Sequence, residues 1–76
     1  MFLQKTFSER LKELRLSKKL SQRAIGEIIG VKPQAINDME HDRIKTTLDR
    51  ACALADYFDV SLDYLVGRSD NPKINK

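Results

Sequence analysis

Between Ser21 and Asn37 the chain carries the pattern of two short helices joined by a turn too tight for most residues. Ser21 is suited to cap the first of them, and Ile25, Ile28 and Ile29 recur at the i, i+3, i+4 interval of one helical face. Gly30 follows where the chain must reverse, as the residue that takes positive φ without steric cost. Pro33 opens the second helix, because the N–H it lacks would have no intrahelical partner in a first turn. Lys32, preceding that proline, is pushed toward the extended backbone an N-cap requires. Gly26 stands inside the first helix, where it costs on the order of 1 kcal/mol relative to Ala. A glycine kept at that cost points to a second backbone passing too close for a Cβ.

The flanking sequence extends the helical reading. Thr6-Phe7-Ser8-Glu9 has the form of a capping box, and Phe7, Leu11 and Leu14 place an apolar stripe on a helix of roughly residues 7–18, with Arg10, Lys12 and Glu13 turned outward. The paired helices are expected at about 22–29 and 33–40, followed by a polar loop over 41–45. Thr46 and Thr47 open a fourth helix whose inward face reads Leu48, Ala51, Cys52, Ala55 and Phe58. Ser61 starts a short fifth helix that Gly67 stops. Residues 68–76 are polar, contain Pro72 and have little to bury, so they are expected to form a mobile tail. No strand-like alternation persists, and the expected organisation is one all-α domain over 1–67 with the tail behind it.

A chain of 76 residues buries only about 60–65% of its unfolded surface, so its stability rests on helix packing. One cysteine excludes an internal disulfide, and one histidine excludes a zinc cluster of the usual His/Cys kind. No apolar run reaches membrane-spanning length and the start lacks the form of a signal peptide, which predicts a soluble cytoplasmic protein without a membrane partner. Charge is unevenly spread: residues 1–38 hold eight Lys/Arg against four Asp/Glu, residues 39–67 three against six, and residues 68–76 three against one. The basic excess thus overlaps the paired helices, as suits a face presented to a polyanion; ordinary surface charge is the alternative. No nucleophile–base pairing, phosphate-cradling glycine loop or metal constellation stands out, so neither an enzyme nor a cofactor is expected. Cys52 at an apolar helical position reads as a small core residue. His41 has no neighbours in sequence to make a metal site or switch. Tyr57, Phe58 and Tyr64, late in the chain, read as core or dimer packing.

The run Leu20-Ser21-Gln22, Ile25-Gly26, Ile29-Gly30-Val31, Ile36 and Met39-Glu40 resembles the phage Cro/repressor-type helix-turn-helix family, also called the xenobiotic-response-element family. The likeness extends from Thr6 to Gly67, and Asp63-Tyr64-Leu65-Val66-Gly67-Arg68 is similar to the segment that closes this domain. The resemblance implies a five-helix, lambda-repressor-like DNA-binding domain in which helices 2 and 3 form the motif and the second lies in the major groove. By position, Pro33, Gln34, Asn37 and, at the edge, Asp38 then face base edges. The Gln and Asn amides offer the donor–acceptor pair that matches adenine N6/N7. Pro33 is limited to apolar contact, and Asp38 either accepts from cytosine N4 or deters wrong placement by repelling phosphate. Gln22, at a helix N-terminus, matches the family's phosphate-holding position. Lys32, Arg43, Lys45 and, with less support from position, Arg23 are the cationic phosphate candidates. For each of these the alternative is a solvated helix face.

Arg15 and Glu40 match a pair that links the first and third helices in relatives, a structural role. Leu62, Leu65 and Val66 are the candidate dimer interface, the alternative being that they complete the monomer core. Three residues depart from the family pattern: Gly26 for the commoner Ala, Lys32 for a hydroxyl cap, and Asp42 where Gly or Asn is usual. The expected function is a sequence-specific regulator, a repressor acting as a homodimer on a palindromic operator in double-stranded DNA. A restriction–modification controller is a variant of that reading. The alternative class is a protein-binding module, such as an antitoxin, with a toxin or antirepressor as its partner.

Overall fold

Five helices make up the described residues, 4–73 of a computed structural model, with no strand among them. They are α1 (Gln4–Ser17), α2 (Gln22–Ile29), α3 (Pro33–Glu40), α4 (Leu48–Phe58) and α5 (Leu62–Leu65). None of them is long and apolar enough to cross a membrane. The lengths are set by a repeated stop signal. Lys19, Gly30, Asp42, Asp59 and Gly67 are the positive-φ residues of this region, and each closes one helix. In every case the next residue returns its N–H to the carbonyl five residues earlier: Leu20 to Arg15, Val31 to Gly26, Arg43 to Asp38, Val60 to Ala55 and Arg68 to Asp63. This closure satisfies carbonyls that a helix end leaves without partners. Three of the five stops are not glycine, and each accepts the strain of a left-handed residue, about 1–2 kcal/mol.

Every element contributes to one core. Phe7 and Leu11 of α1, Ile25 of α2, Ile36 and Met39 of α3, and Leu54, Ala55 and Phe58 of α4 pack together with Val60 and Leu65. Ser21, Thr47 and Ser61 cap α2, α4 and α5, each accepting from the N–H three residues on. The tightest junction is α2 against α3, and Gly26 makes it feasible. A Cβ on Gly26 would lie 2.6 Å from the Val31 carbonyl oxygen, so the close approach inferred from the sequence is a backbone contact within the turn. Gly26→Val is therefore expected to lower stability by about 1–3 kcal/mol, through overpacking that the turn can relieve only by moving. A urea unfolding midpoint equal to that of the parent would refute the contact.

Several expectations are corrected. Thr6 does not cap α1: the helix is already formed at Gln4, and Phe7 and Ser8 lie buried within it, so packing supports the turn where a capping box was expected. In α4 the inward stripe is Ala51, Leu54, Ala55 and Phe58, spaced i, i+3, i+4, i+7. Leu48 stands on its flank and is 66% exposed, while Cys52 is half-buried. Leu65 and Val66 are buried in the monomer core and unavailable as a dimer surface, because a four-residue helix stopped at Gly67 turns both inward; only Leu62 of that trio stays half-buried.

Arg10 also differs from its expected outward placement. Its guanidinium lies over the Tyr64 ring, 4.1 Å from the centroid, and donates to the carbonyls of Tyr64 and Ser69 and to Asp70 Oδ1. Residues 68–73, expected as part of a tail, accordingly lie against the α1–α5 corner, where the Ser61 N–H also donates to the Pro72 carbonyl at 2.9 Å.

Candidate nucleic-acid interface

The geometry of α3 follows from what precedes it. Gly30 at φ 77° turns the chain, and Lys32 at φ −74°, ψ 153° supplies the extended N-cap before Pro33. Lys32 makes no side-chain capping bond, as expected of a lysine at a position that a hydroxyl usually holds. One side of α3 is committed to the interior: Ile36 and Met39 are fully buried and Glu40 nearly so. The opposite side leaves Pro33 and Gln34 exposed, with Asn37 and Asp38 half-buried beside them. The four residues expected to face bases thus share one strip of a helix whose back is fixed in the core.

What holds that helix is a buried ion pair. Arg15 Nε donates to Glu40 Oε2 at 2.6 Å and Nη2 to Oε1 at 3.0 Å, while Nη1 donates to the Leu20 carbonyl at 2.8 Å. The two side chains are 11% and 1% exposed. The hydrogen bond from Arg15 to Glu40, aided by Coulombic attraction and opposed by burial, raises the arginine pKa further, so the guanidinium stays charged at any working pH. The two-point fork joins α1 to α3 in one orientation.

From this pair a chain of hydrogen bonds leads outward. Gln22 Nε2 donates to Glu40 Oε1 at 3.2 Å, and its Oε1 accepts from Asn37 Nδ2 at 3.5 Å. Arg43 Nη1 donates to Asn37 Oδ1 at 3.3 Å and lies 3.6 Å from Asp38 Oδ1, which also accepts from Gln34 Nε2 at 3.0 Å. Gln22 and Arg43, expected from position as phosphate contacts, are thus both tied to residues of α3. Arg23 is paired with Glu27 on an open surface, and Lys32 and Lys45 are exposed on either side of α3 in sequence. Asp42 adopts φ 56°, so the turn after α3 forms with aspartate in place of glycine. His41 places Nδ1 2.8 Å from the Asn37 carbonyl oxygen. Cys52 lines a shallow hollow of about 300 Å³ between α4 and α5, away from this face.

Sequence reasoning missed the links from Gln22 to Glu40 and from Arg43 back to α3. The second had a detectable signal, since a left-handed residue at Asp42 sends the following residue back over the last turn of the helix. Arg10 carried a signal too: at i+3 from Phe7 it falls on the inward stripe rather than opposite it.

Comparison with known proteins agrees with the helix-turn-helix fold. Residues 11–65 match the family model described as helix-turn-helix. The chain is 35% identical over 66 residues to the uncharacterized HTH-type transcriptional regulator YobD of Bacillus subtilis, covering 87% of this chain and 59% of that protein. It therefore spans about three fifths of the length of that curated relative. Among solved structures it is similar to the P22 c2 repressor in complex with a synthetic operator, with a TM-score of 0.77, 28% identity, and coverage of 83% of this chain and 96% of that one. It is also similar to the restriction–modification controller protein C.AhdI of Aeromonas hydrophila, with a TM-score of 0.73, 28% identity, and coverage of 80% and 92%.

Proposed function

The chain belongs to the helix-turn-helix family, and from that premise we propose that it is a transcriptional regulator that reads double-stranded DNA through α3. The observation that carries this reading is the strip of Pro33, Gln34, Asn37 and Asp38 on a helix pinned from behind by the Arg15–Glu40 pair. Amide side chains on a rigid helix suit base edges, because a bidentate contact demands a fixed approach. The exposed Lys32 and Lys45 supply charge for the flanking phosphates, and the free N–H groups at the start of α2 add an anion site beside Gln22. The protein acts in the cytoplasm as a repressor and as a binding module without a cofactor or catalytic group. It works as a homodimer on a palindromic operator, with the two copies of α3 about 34 Å apart.

Selection of bound duplexes from a random pool tests the whole reading and reports half-site spacing in the same experiment. Within it, Gln34→Ala is expected to cost about 1–3 kcal/mol on the selected operator and to relax one base pair in each half-site. Equal losses on operator and random DNA would remove Gln34 as a reader.

A further inference from the structure

We infer that Asp38 acts as a positioning residue, orienting the Gln34 amide so that α3 distinguishes an A·T pair from the same pair reversed. This rests on the reading of Gln34 as a base contact. Asp38 is one turn beyond Gln34 and its side chain is only 23% exposed. An ionised carboxylate only accepts hydrogen bonds, so the amide atom facing it must be the nitrogen, as observed at 3.0 Å. One Nε2 hydrogen is committed to Asp38, which leaves the second hydrogen and Oε1 for a base. The positions of donor and acceptor are then no longer interchangeable.

Left alone, a glutamine amide has no such order. Its terminal torsion is broad and roughly two-fold, so it can present either arrangement. Adenine offers N7 as acceptor and N6 as donor, and reversing the base pair reverses their order across the groove. A free amide can match both orientations, whereas an oriented one matches a single orientation.

Arg43 completes the device. The left-handed Asp42 folds the chain so that the Arg43 N–H reaches the Asp38 carbonyl at 2.9 Å, and its guanidinium sits 3.6 Å from the Asp38 carboxylate. That cation offsets the negative charge which Asp38 would otherwise bring toward phosphates.

The test is duplex selection with four proteins: the parent, Gln34→Ala, Asp38→Asn and Asp38→Glu, each checked for an unchanged circular dichroism spectrum. Asparagine donates as well as accepts and so removes the constraint, while glutamate keeps an acceptor-only group. At the pair that Gln34→Ala relaxes, the parent is expected to prefer one orientation about tenfold. Asp38→Asn is expected to bring the two orientations within about twofold, and Asp38→Glu to retain the preference. An Asp38→Asn protein that keeps the parental preference at that pair overturns the inference while leaving Gln34 a reader. A Gln34→Ala protein that relaxes no pair overturns both.

Discussion

Glu40→Ala is expected to lower the free energy of unfolding by about 3–5 kcal/mol, a large share of what a domain of this size possesses. The loss comes chiefly from the partner left behind. Arg15 would keep its charge with only 11% of its side chain exposed, retaining the Leu20 carbonyl as acceptor and losing both carboxylate contacts. Arg15→Met should cost a comparable amount, since Glu40 is 1% exposed and would keep, among the described hydrogen bonds, the one from Gln22. The double variant Arg15→Met/Glu40→Leu removes both charges and should recover much of the loss, because an apolar pair carries no desolvation penalty. Urea unfolding of the four proteins measures both losses and the recovery. Single variants within about 1 kcal/mol of the parent would show that the pair is solvated and holds nothing.

Leu54→Ala is expected to cost about 3 kcal/mol, and Leu48→Ala less than about 0.5 kcal/mol, although the two leucines lie in one helix. Leu54 is fully buried among residues from the other helices, so truncation leaves a cavity lined by atoms that cannot all collapse inward. Leu48 is 66% exposed and already meets water. Thermal unfolding of both variants provides the comparison. Similar melting temperatures would mean that Leu54 does not belong to the inward stripe of α4.

The leucine pair shows where sequence reading reached its limit. A stripe starting at Leu48 and one centred on Leu54 both satisfy helical periodicity, because a wide face admits neighbours on either flank. Only contact with α2 and α5 selects between them. Likewise Leu65 and Val66 are apolar residues in a short segment, and apolarity alone does not distinguish an interface from a core. The brevity of α5 turns both inward and leaves Leu62 at the edge. Thr6 presented a valid capping pattern that packing of Phe7 and Ser8 overrode.

The turn between α2 and α3 was legible because its rules are local. Positive φ at Gly30, an extended Lys32 and Pro33 in a first turn are each settled within a few residues, and α2 and α3 fall on the ranges expected for them. Even the close approach at Gly26 involves atoms only five residues apart in sequence. The strip of Pro33, Gln34, Asn37 and Asp38 was picked out by the family resemblance, and helical spacing puts the four on one side of α3.

By itself, then, the sequence determined the helices, most of their ends and the residues that share the outer strip of α3. Tertiary structure decided the state of those residues: Gln22 drawn to Glu40, Arg43 folded back on Asn37 and Asp38, and Asp38 holding Gln34. The physical reason is range. Backbone conformation responds to neighbours a turn away, whereas the partner of a polar side chain depends on which charges the fold brings within about 3 Å.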